Sequence, residues 1–189
     1  MPTLTIDARA VDVPDGTSVL DAARQAGVRI PTLCYLEGVQ AIGACRLCLV
    51  EIEGARSLMA SCVLPATEGM KVRTNTPRVR EARRTVMELL LSEHAGNCQI
   101  CERNNDCELQ AVAHELGIHA IRYEGAKARV ALDESTPGVV RDNGKCIKCR
   151  RCVSVCAETQ HVGALWAQGR GFDTAIGPAF NRDLATVAC

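Results

Sequence analysis

The chain has 189 residues, no formal net charge, 47% hydrophobic residues and only 3% aromatic residues. The balanced charge offers no broad basic surface for nucleic acid, and no apolar run approaches the roughly 18 residues of a transmembrane helix. The first residues lack a signal-peptide pattern, so a cytoplasmic, reducing location is expected. With few aromatic side chains to fill a core, the twelve cysteines become the candidates that help to hold the fold.

The first third of the chain has the pattern of a hairpin, a helix, a loop and further strands. Residues 3–6 and 10–13 alternate like two short strands, and Thr17 is the expected N-cap of a helix that ends at Gly27. Strand-like alternation returns at residues 49–53, 57–60 and 70–74. This order is that of a β-grasp ferredoxin, so we expect an α+β fold whose first domain covers residues 1–76.

Two helices are predicted in the middle of the chain. Thr76 and Pro77 are typical of an N-cap and a first helical residue, and an apolar stripe continues to about Leu91. A second helix is expected from Asp106 or Cys107 to Gly117. We therefore expect a small helical domain over residues 77–120. A third domain over residues 121–189 would begin with a linker of weak strand character and end in short strands.

The strongest metal signal lies near the C-terminus, at Cys146, Cys149, Cys152 and Cys156. Three cysteines at steps of three residues let one short loop curl around a cube, so this run predicts a bacterial-ferredoxin-like [4Fe–4S] segment. Ala157 stands where the usual run has proline. The fourth ligand stays open, because Cys156 and Cys189 could serve the same cluster or a further [4Fe–4S] cluster. Since Cys189 would open a second run, the chain is expected to continue beyond it.

The other two groups are defined less sharply by their spacing. Cys34, Cys45, Cys48 and Cys62 have a longer first gap than the plant-type run, yet they keep the design of a [2Fe–2S] site, with zinc as the alternative. The central group stands between the two predicted helices. Its spacing fits a zinc ion held by three Cys and one His as well as an iron–sulfur cluster. Its members are His94, Cys98, Cys101 and Cys107.

Basic residues surround the third group. Lys145, Lys148, Arg150 and Arg151 could form a solvated loop, offset the negative charge of a cluster, or dock an acidic partner such as ferredoxin. The sequence leaves these alternatives open.

The three groups in this order resemble the N-terminal iron–sulfur region of a family of redox subunits. The family includes the large iron–sulfur subunit of respiratory complex I, NAD(P)-linked formate dehydrogenases and [FeFe] hydrogenases. Asn97 to Arg103, and Pro178 to Asn181 ahead of Cys189, favour the hydrogenase branch. The resemblance implies that the central group holds a [4Fe–4S] cluster. It also implies one [2Fe–2S] and at least two [4Fe–4S] clusters, with a third [4Fe–4S] if the chain continues.

The function that follows from the resemblance is an electron relay with no catalytic centre in these residues. Electrons would pass between a flavin- and NAD(P)-binding subunit, or ferredoxin, and the catalytic module of a multi-subunit hydrogenase. No Gly-x-Gly-x-x-Gly or Walker-type loop is present, so nucleotide chemistry would belong to a partner. The alternatives are the same relay in an NAD-dependent formate dehydrogenase or a complex I-like NADH dehydrogenase, or a structural zinc-binding scaffold.

Overall fold

The structure is a computed structural model that describes residues 1–126 and 132–187. Cys189, named above as a candidate ligand, lies outside the described residues. The chain begins with a five-stranded mixed sheet and one helix, as the sequence predicts. The strands are β1 (Thr3–Ile6), β2 (Arg9–Asp12), β3 (Leu49–Ile52), β4 (Met59–Ala60) and β5 (Lys71–Arg73).

The sheet has the strand order β2-β1-β5-β3-β4, and helix α1 (Val19–Gln25) follows the first hairpin. β1 and β5 pair in parallel, whereas the other neighbours are antiparallel. The N-cap of α1 is Ser18 rather than the expected Thr17, because the Ser18 hydroxyl accepts the Asp21 N–H at 3.1 Å. Thr17 instead uses its carbonyl to accept the N–H of Ala66.

The hairpin between β1 and β2 turns on two residues with positive φ. Asp7 has φ 46° and Ala8 has φ 69°, as a two-residue turn with the twist of the strands requires. β2 starts at Arg9, one residue earlier than predicted. The Asp7 carboxylate also accepts the backbone N–H of Thr74 at 2.8 Å, which ties the turn to the end of β5.

The two predicted central helices are confirmed. α2 spans Pro77–Glu93, two residues beyond the expected end, and the hydroxyl of its N-cap Thr76 accepts the N–H of Val79. α3 spans Glu108–Glu115, and a 3₁₀ turn at Cys98–Ile100 lies between the two helices. None of the helices within the described ranges has the length and apolar character needed to cross a membrane.

The C-terminal part combines short helical turns with one small hairpin. α4 (Arg151–Ser154) continues into a π-helical turn at Val155–Thr159, and β6 (Trp166–Gln168) pairs antiparallel with β7 (Ala175–Gly177). Three 3₁₀ turns follow β6 at Gly171–Asp173, Ala179–Asn181 and Leu184–Thr186. In the preceding linker, for which weak strand character was predicted, Asp133 and Arg141 exchange two backbone hydrogen bonds as an isolated bridge.

Two apolar cores organise the molecule. The first lies between the sheet and α1 and includes Ile6, Leu20, Val50 and Val72. The second is built by Leu33 and Leu47 from the loops of the first domain, together with Met87 of α2 and Leu109 and Val112 of α3. The second core therefore joins the sheet domain to the central helices.

Candidate metal centres

The four cysteines of the first group meet at the boundary of the two cores. Cys48 and Cys62 belong to the first core, whereas Cys34 and Cys45 belong to the second. All four side chains are buried, between 1% and 7% exposed. The Sγ atoms of Cys48 and Cys62 lie 3.4 Å apart. Two sulfurs that share one tetrahedral metal at bonds of about 2.3 Å stand at a comparable separation.

Hydrogen bonds between the gathered thiols perturb their pKa values in opposite directions. The bond with Cys45 lowers the pKa of the Cys34 thiol to about 2, and the bond with Cys62 lowers that of Cys48 to about 6. The same kind of contact with Cys34 raises the pKa of Cys45 and of Cys62. The four thiols therefore interact closely enough to titrate together rather than singly.

The loop that carries Cys45 and Cys48 brings its backbone close to the sulfurs. Gly43 has φ 62°, and Arg46, between the two cysteines, is held at φ 55°. The N–H of Leu33 donates to the Cys45 Sγ at 3.4 Å. Buried thiols, left-handed backbone and an N–H aimed at sulfur are the features of an iron–sulfur loop. The residues of the first group therefore fit a [2Fe–2S] cluster.

The central group is placed by the ends of the two helices, as the sequence predicts. His94 follows directly on the last residue of α2, and Cys107 directly precedes α3. The Gly96 N–H donates to the His94 Nδ1 at 3.1 Å and so orients the imidazole ring. Cys98 is exposed, whereas Cys101 and Cys107 are partly buried.

The loop of the central group is braced by Gln110. Its side-chain amide donates to the Asn104 Oδ1 at 3.1 Å and accepts the N–H of Asn105, which adopts φ 66°. No pattern in the sequence pointed to this role of Gln110. The bond fixes the chain reversal between Cys101 and Cys107.

The third group extends from the turn before α4 through α4, which contains Cys152, into the π-helical turn that contains Cys156. Lys148 and Arg150 have φ 56° and φ 61°, and the N–H of Lys148 donates to the Cys146 Sγ at 3.3 Å. Burial raises the pKa of the Cys146 thiol. Cys156 is buried and accepts the N–H of Ala164 at 3.2 Å, whereas Cys152 is exposed. Left-handed residues beside successive cysteines again suit a cluster loop.

A cavity of 460 Å³ opens beside the third group. Cys146 and Cys152 line it together with apolar side chains from the linker and from the tail. Val139, Val140, Ile176 and Leu184 form that apolar wall. The sequence pattern predicted the linker only as a connection and did not indicate that it helps to enclose the third group.

Three of the four basic residues around the third group are paired with carboxylates of this chain. Lys148 pairs with Glu93, Arg151 pairs with Glu108 at 2.8 Å, and Lys145 lies 3.7 Å from Asp142. Lys148 and Arg151 are therefore engaged inside the fold. Only Arg150 and Lys145 retain the solvent-facing position that docking of an acidic partner requires.

Cysteines of all three groups pack against one apolar core. Cys34 and Cys45 are members of the second core, and Cys107 and Cys149 pack on its edge. Within residues 1–126 and 132–187, no three His, Cys, Asp or Glu side chains gather as the ligands of a single ion would. The ligands of a cluster are distributed over several irons, so they need not converge on one point.

Two family models match successive parts of the chain. A family model described as a 2Fe-2S iron-sulfur cluster binding domain matches residues 1–77. A second model, described as the NADH-ubiquinone oxidoreductase-G iron-sulfur binding region, matches residues 83–122. The chain thus contains a [2Fe–2S] binding domain followed by an iron–sulfur binding region.

Relatives match over nearly all of the chain. The HndD subunit of the NADP-reducing hydrogenase of Solidesulfovibrio fructosivorans is 43% identical over 195 residues, which cover 100% of this chain and 33% of that protein. The 75 kDa subunit of the NADH-ubiquinone oxidoreductase of Reclinomonas americana is 37% identical over 189 residues, covering 98% of this chain and 27% of that protein. The chain thus spans about a third or less of the length of these curated relatives.

A solved structure extends the match to the fold. One chain in the crystal structure of an NAD+-reducing [NiFe]-hydrogenase in the H2-reduced state superposes with a TM-score of 0.92 at 33% identity. The match covers 100% of this chain and 80% of that one. This chain therefore belongs to the family of iron–sulfur proteins of NAD(P)-linked hydrogenases and complex I-type NADH dehydrogenases.

Proposed function

We propose that the chain relays single electrons within an NAD(P)-linked hydrogenase. Bound iron–sulfur clusters supply one-electron chemistry without forming bonds to a substrate. The chain itself provides thiolate and imidazole ligands, apolar walls that exclude water, and N–H groups that donate to sulfur. The proposed ligands are Cys34, Cys45, Cys48 and Cys62 for a [2Fe–2S] cluster, His94, Cys98, Cys101 and Cys107 for one [4Fe–4S] cluster, and Cys146, Cys149 and Cys152 for another.

The observation that carries this proposal is the shared core. The rate of electron transfer falls steeply with the distance between two redox centres, so a relay needs its centres close together and rigidly spaced. Cysteines from each of the three groups pack against the same apolar core, which includes Met87 and Leu109. Ion pairs also join the loops of the central and third groups. Three independent structural zinc sites would not need to pack against a common core.

The fourth ligand of the third cluster is either Cys156 or Cys189. Cys156 is held in place by the N–H of Ala164, but it does not line the cavity beside Cys146 and Cys152. Cys149 does not line that cavity either, so both candidates are kept, and we propose that whichever of the two does not complete the third cluster serves a further [4Fe–4S] cluster. In fold terms, we propose a β-grasp domain, a helical His/Cys domain and a ferredoxin-like segment.

The assembly is proposed from the relatives. The identity with HndD, a subunit of an NADP-reducing hydrogenase, supports a multi-subunit NAD(P)-linked hydrogenase. We propose that this assembly is cytoplasmic and that a flavin- and NAD(P)-binding subunit and a catalytic hydrogenase module work together with these residues. The second candidate is a complex I-like NADH dehydrogenase. It is supported by the match of residues 83–122 to the NADH-ubiquinone oxidoreductase-G model and by the similarity to the 75 kDa subunit.

Metal analysis of the native complex tests the relay. The full-length protein, purified without oxygen, should contain at least about ten irons per copy, with matching labile sulfide. After reduction by NAD(P)H or by H2, its EPR spectrum should show the signals of one [2Fe–2S] cluster and at least two [4Fe–4S] clusters. Stoichiometric zinc with no labile sulfide would identify a structural scaffold instead. Reduction by NADH but never by H2, with no hydrogenase subunit in the purified complex, would favour the NADH dehydrogenase.

A further inference from the structure

Arg83 is a buried cation on the inner face of α2. Only 6% of its surface is exposed, although its neighbours Arg80 and Arg84 on the same helix are exposed. Its Nη2 donates to the carbonyl oxygen of Leu49 at 2.7 Å, and Leu49 directly follows Cys48 in the chain. The guanidinium therefore reaches from the central helix to the strand that leads out of the first cysteine group.

The charge of Arg83 has no carboxylate partner within the described part of the chain. Its Nε atom is buried without a hydrogen bond. Asp7 and Glu115 share a cavity of 660 Å³ with Arg83, but neither is ion-paired with it among residues 1–126 and 132–187. Since a buried unpaired charge is strongly unfavourable, a counter-charge is needed nearby.

The first cysteine group is the negative centre in the right place. Cys48 is 1% exposed, and its carbonyl oxygen accepts a hydrogen bond from the Ser61 hydroxyl. Because Cys48 is shielded from solvent, Coulomb interactions with it are strong. Burial lowers the pKa of the Arg83 guanidinium, and Cys48, ahead of Glu115 and Asp7, is the foremost of the negative charges that raise it again. Four thiolates around iron keep a net negative charge that grows when an electron is added.

We propose that Arg83 is the buried counter-charge of the first cluster and raises its reduction potential. The guanidinium would stabilise the more negative, reduced state more than the oxidised one. Arg83 is thus a positioning residue that acts through charge, without being a ligand. This inference rests on the proposed [2Fe–2S] cluster at Cys34, Cys45, Cys48 and Cys62. It would explain why an arginine occupies the buried side of a helix whose other arginines face solvent.

The test compares Arg83→Gln, Arg83→Lys and Arg84→Gln in the full-length protein within its complex. The [2Fe–2S] EPR signal is titrated against potential for each variant. Arg83→Gln should shift the reduction equilibrium by about tenfold, which is about 59 mV to lower potential for a one-electron couple. Arg83→Lys keeps the charge and should stay near the wild-type value. Arg84→Gln removes an exposed charge from the same helix and should leave the potential unchanged.

The variants separate charge from structure. An unchanged potential in Arg83→Gln, with the cluster retained, would overturn the proposal. If Arg83→Gln loses the cluster, Arg83→Met replaces it, because an unbranched apolar side chain fills the site without a buried polar group. If the cluster is lost in Arg83→Gln and Arg83→Met but kept in Arg83→Lys, the result supports a role of Arg83 as counter-charge. Loss of the cluster in all three variants would show a purely structural role and overturn the proposal. Absence of the [2Fe–2S] signal in the wild-type protein would instead contradict the proposed function.

Discussion

Arg151 and Glu108 form an ion pair of 2.8 Å that joins two of the proposed cluster loops. Glu108 follows Cys107 of the central group, and Arg151 precedes Cys152 of the third. Lys148 and Glu93 repeat the arrangement, since Glu93 precedes His94 and Lys148 lies between two cysteines of the third group. Two charged contacts at different points of each loop restrict both the separation and the relative rotation of the two sites.

The Lys148–Glu93 pair is expected to contribute measurably to stability. Its side chains are 19% and 29% exposed, so solvent screens them less than a surface pair. A double-mutant cycle with Lys148→Met and Glu93→Gln should give a coupling energy of about 1 kcal/mol in denaturant unfolding under anaerobic conditions. The same cycle on the more exposed Lys145–Asp142 pair should give almost none. Additive effects at Lys148 and Glu93 would rule out the coupling.

His94 is expected to set the potential of the central cluster. Cys in place of neutral imidazole adds negative charge at one iron, so His94→Cys should retain the cluster and lower its midpoint. Rieske centres, with two His ligands, lie at least about 250 mV above plant-type ferredoxins, so exchange of one ligand suggests a shift of about 100 mV or more. The measurement is an EPR-monitored redox titration. His119→Cys is the matched control, because it adds a thiol at an exposed histidine away from the ligand loop. An unchanged midpoint in His94→Cys would contradict the tuning role.

Asp133 is expected to anchor the linker to the tail in a pH-dependent manner. Its carboxylate accepts bonds from Ser135, Arg141 and the N–H of Leu184 at 2.9 to 3.1 Å. These bonds, with that from Ser135 foremost, hold the pKa of Asp133 well below its usual range. Because the folded-state pKa is depressed, the stabilisation is complete above the unfolded pKa of about 4 and is lost as the pH falls below it.

The variant Asp133→Asn should therefore melt several degrees below the wild-type protein at neutral pH. The difference in Tm should stay constant down to about pH 5 and shrink below about pH 4, where the Asp133 carboxyl of the unfolded wild-type chain begins to gain its proton. Asp173→Asn, at an exposed carboxylate, serves as the control. A difference that does not depend on pH would show that the lost contact is steric rather than ionic.

Ala8 offers a stabilising substitution. It is held at φ 69° in the first hairpin turn, a conformation that costs a residue with a Cβ about 1 kcal/mol and that glycine adopts freely. Ala8→Gly should raise the free energy of unfolding by up to about 1 kcal/mol. Ala10→Gly, an exposed position in β2, should lower it by about 0.5–1 kcal/mol. The measurement is denaturant unfolding. If both variants lower the free energy of unfolding, the turn is not strained.

Periodicity, caps and ligand spacing predicted most of the architecture. The strands, α2 and α3 lie within a few residues of their expected positions, because local patterns report local structure directly. The left-handed conformations of Arg46, Lys148 and Arg150 could not be foreseen, since only glycine or asparagine signals such a position in sequence.

Long-range features were also hidden. An apolar stripe along a helix predicts that the charged residues of the helix face solvent. The burial of Arg83 and Glu88 in α2 contradicts that pattern. Glu88 is buried because the Arg122 Nε donates to it at 2.8 Å from 34 residues away, and this bond lowers the pKa of Glu88. The ion pairs between the cluster loops join similarly distant segments. Such partners are set by the tertiary fold and leave no local signature.

The first cysteine group depends on residues that are synthesised later than its own. Two of its cysteines lie in the core of the sheet, and the other two lie in the core completed by α2 and α3. While only the first 76 residues have left the ribosome, Leu33 and Leu47 lack the helices that cover them. Maturation of this site should therefore wait for the central helices, although N-terminal domains generally fold first. A fragment ending before α2 would then bind iron poorly, and co-expression of residues 77–126 should restore it.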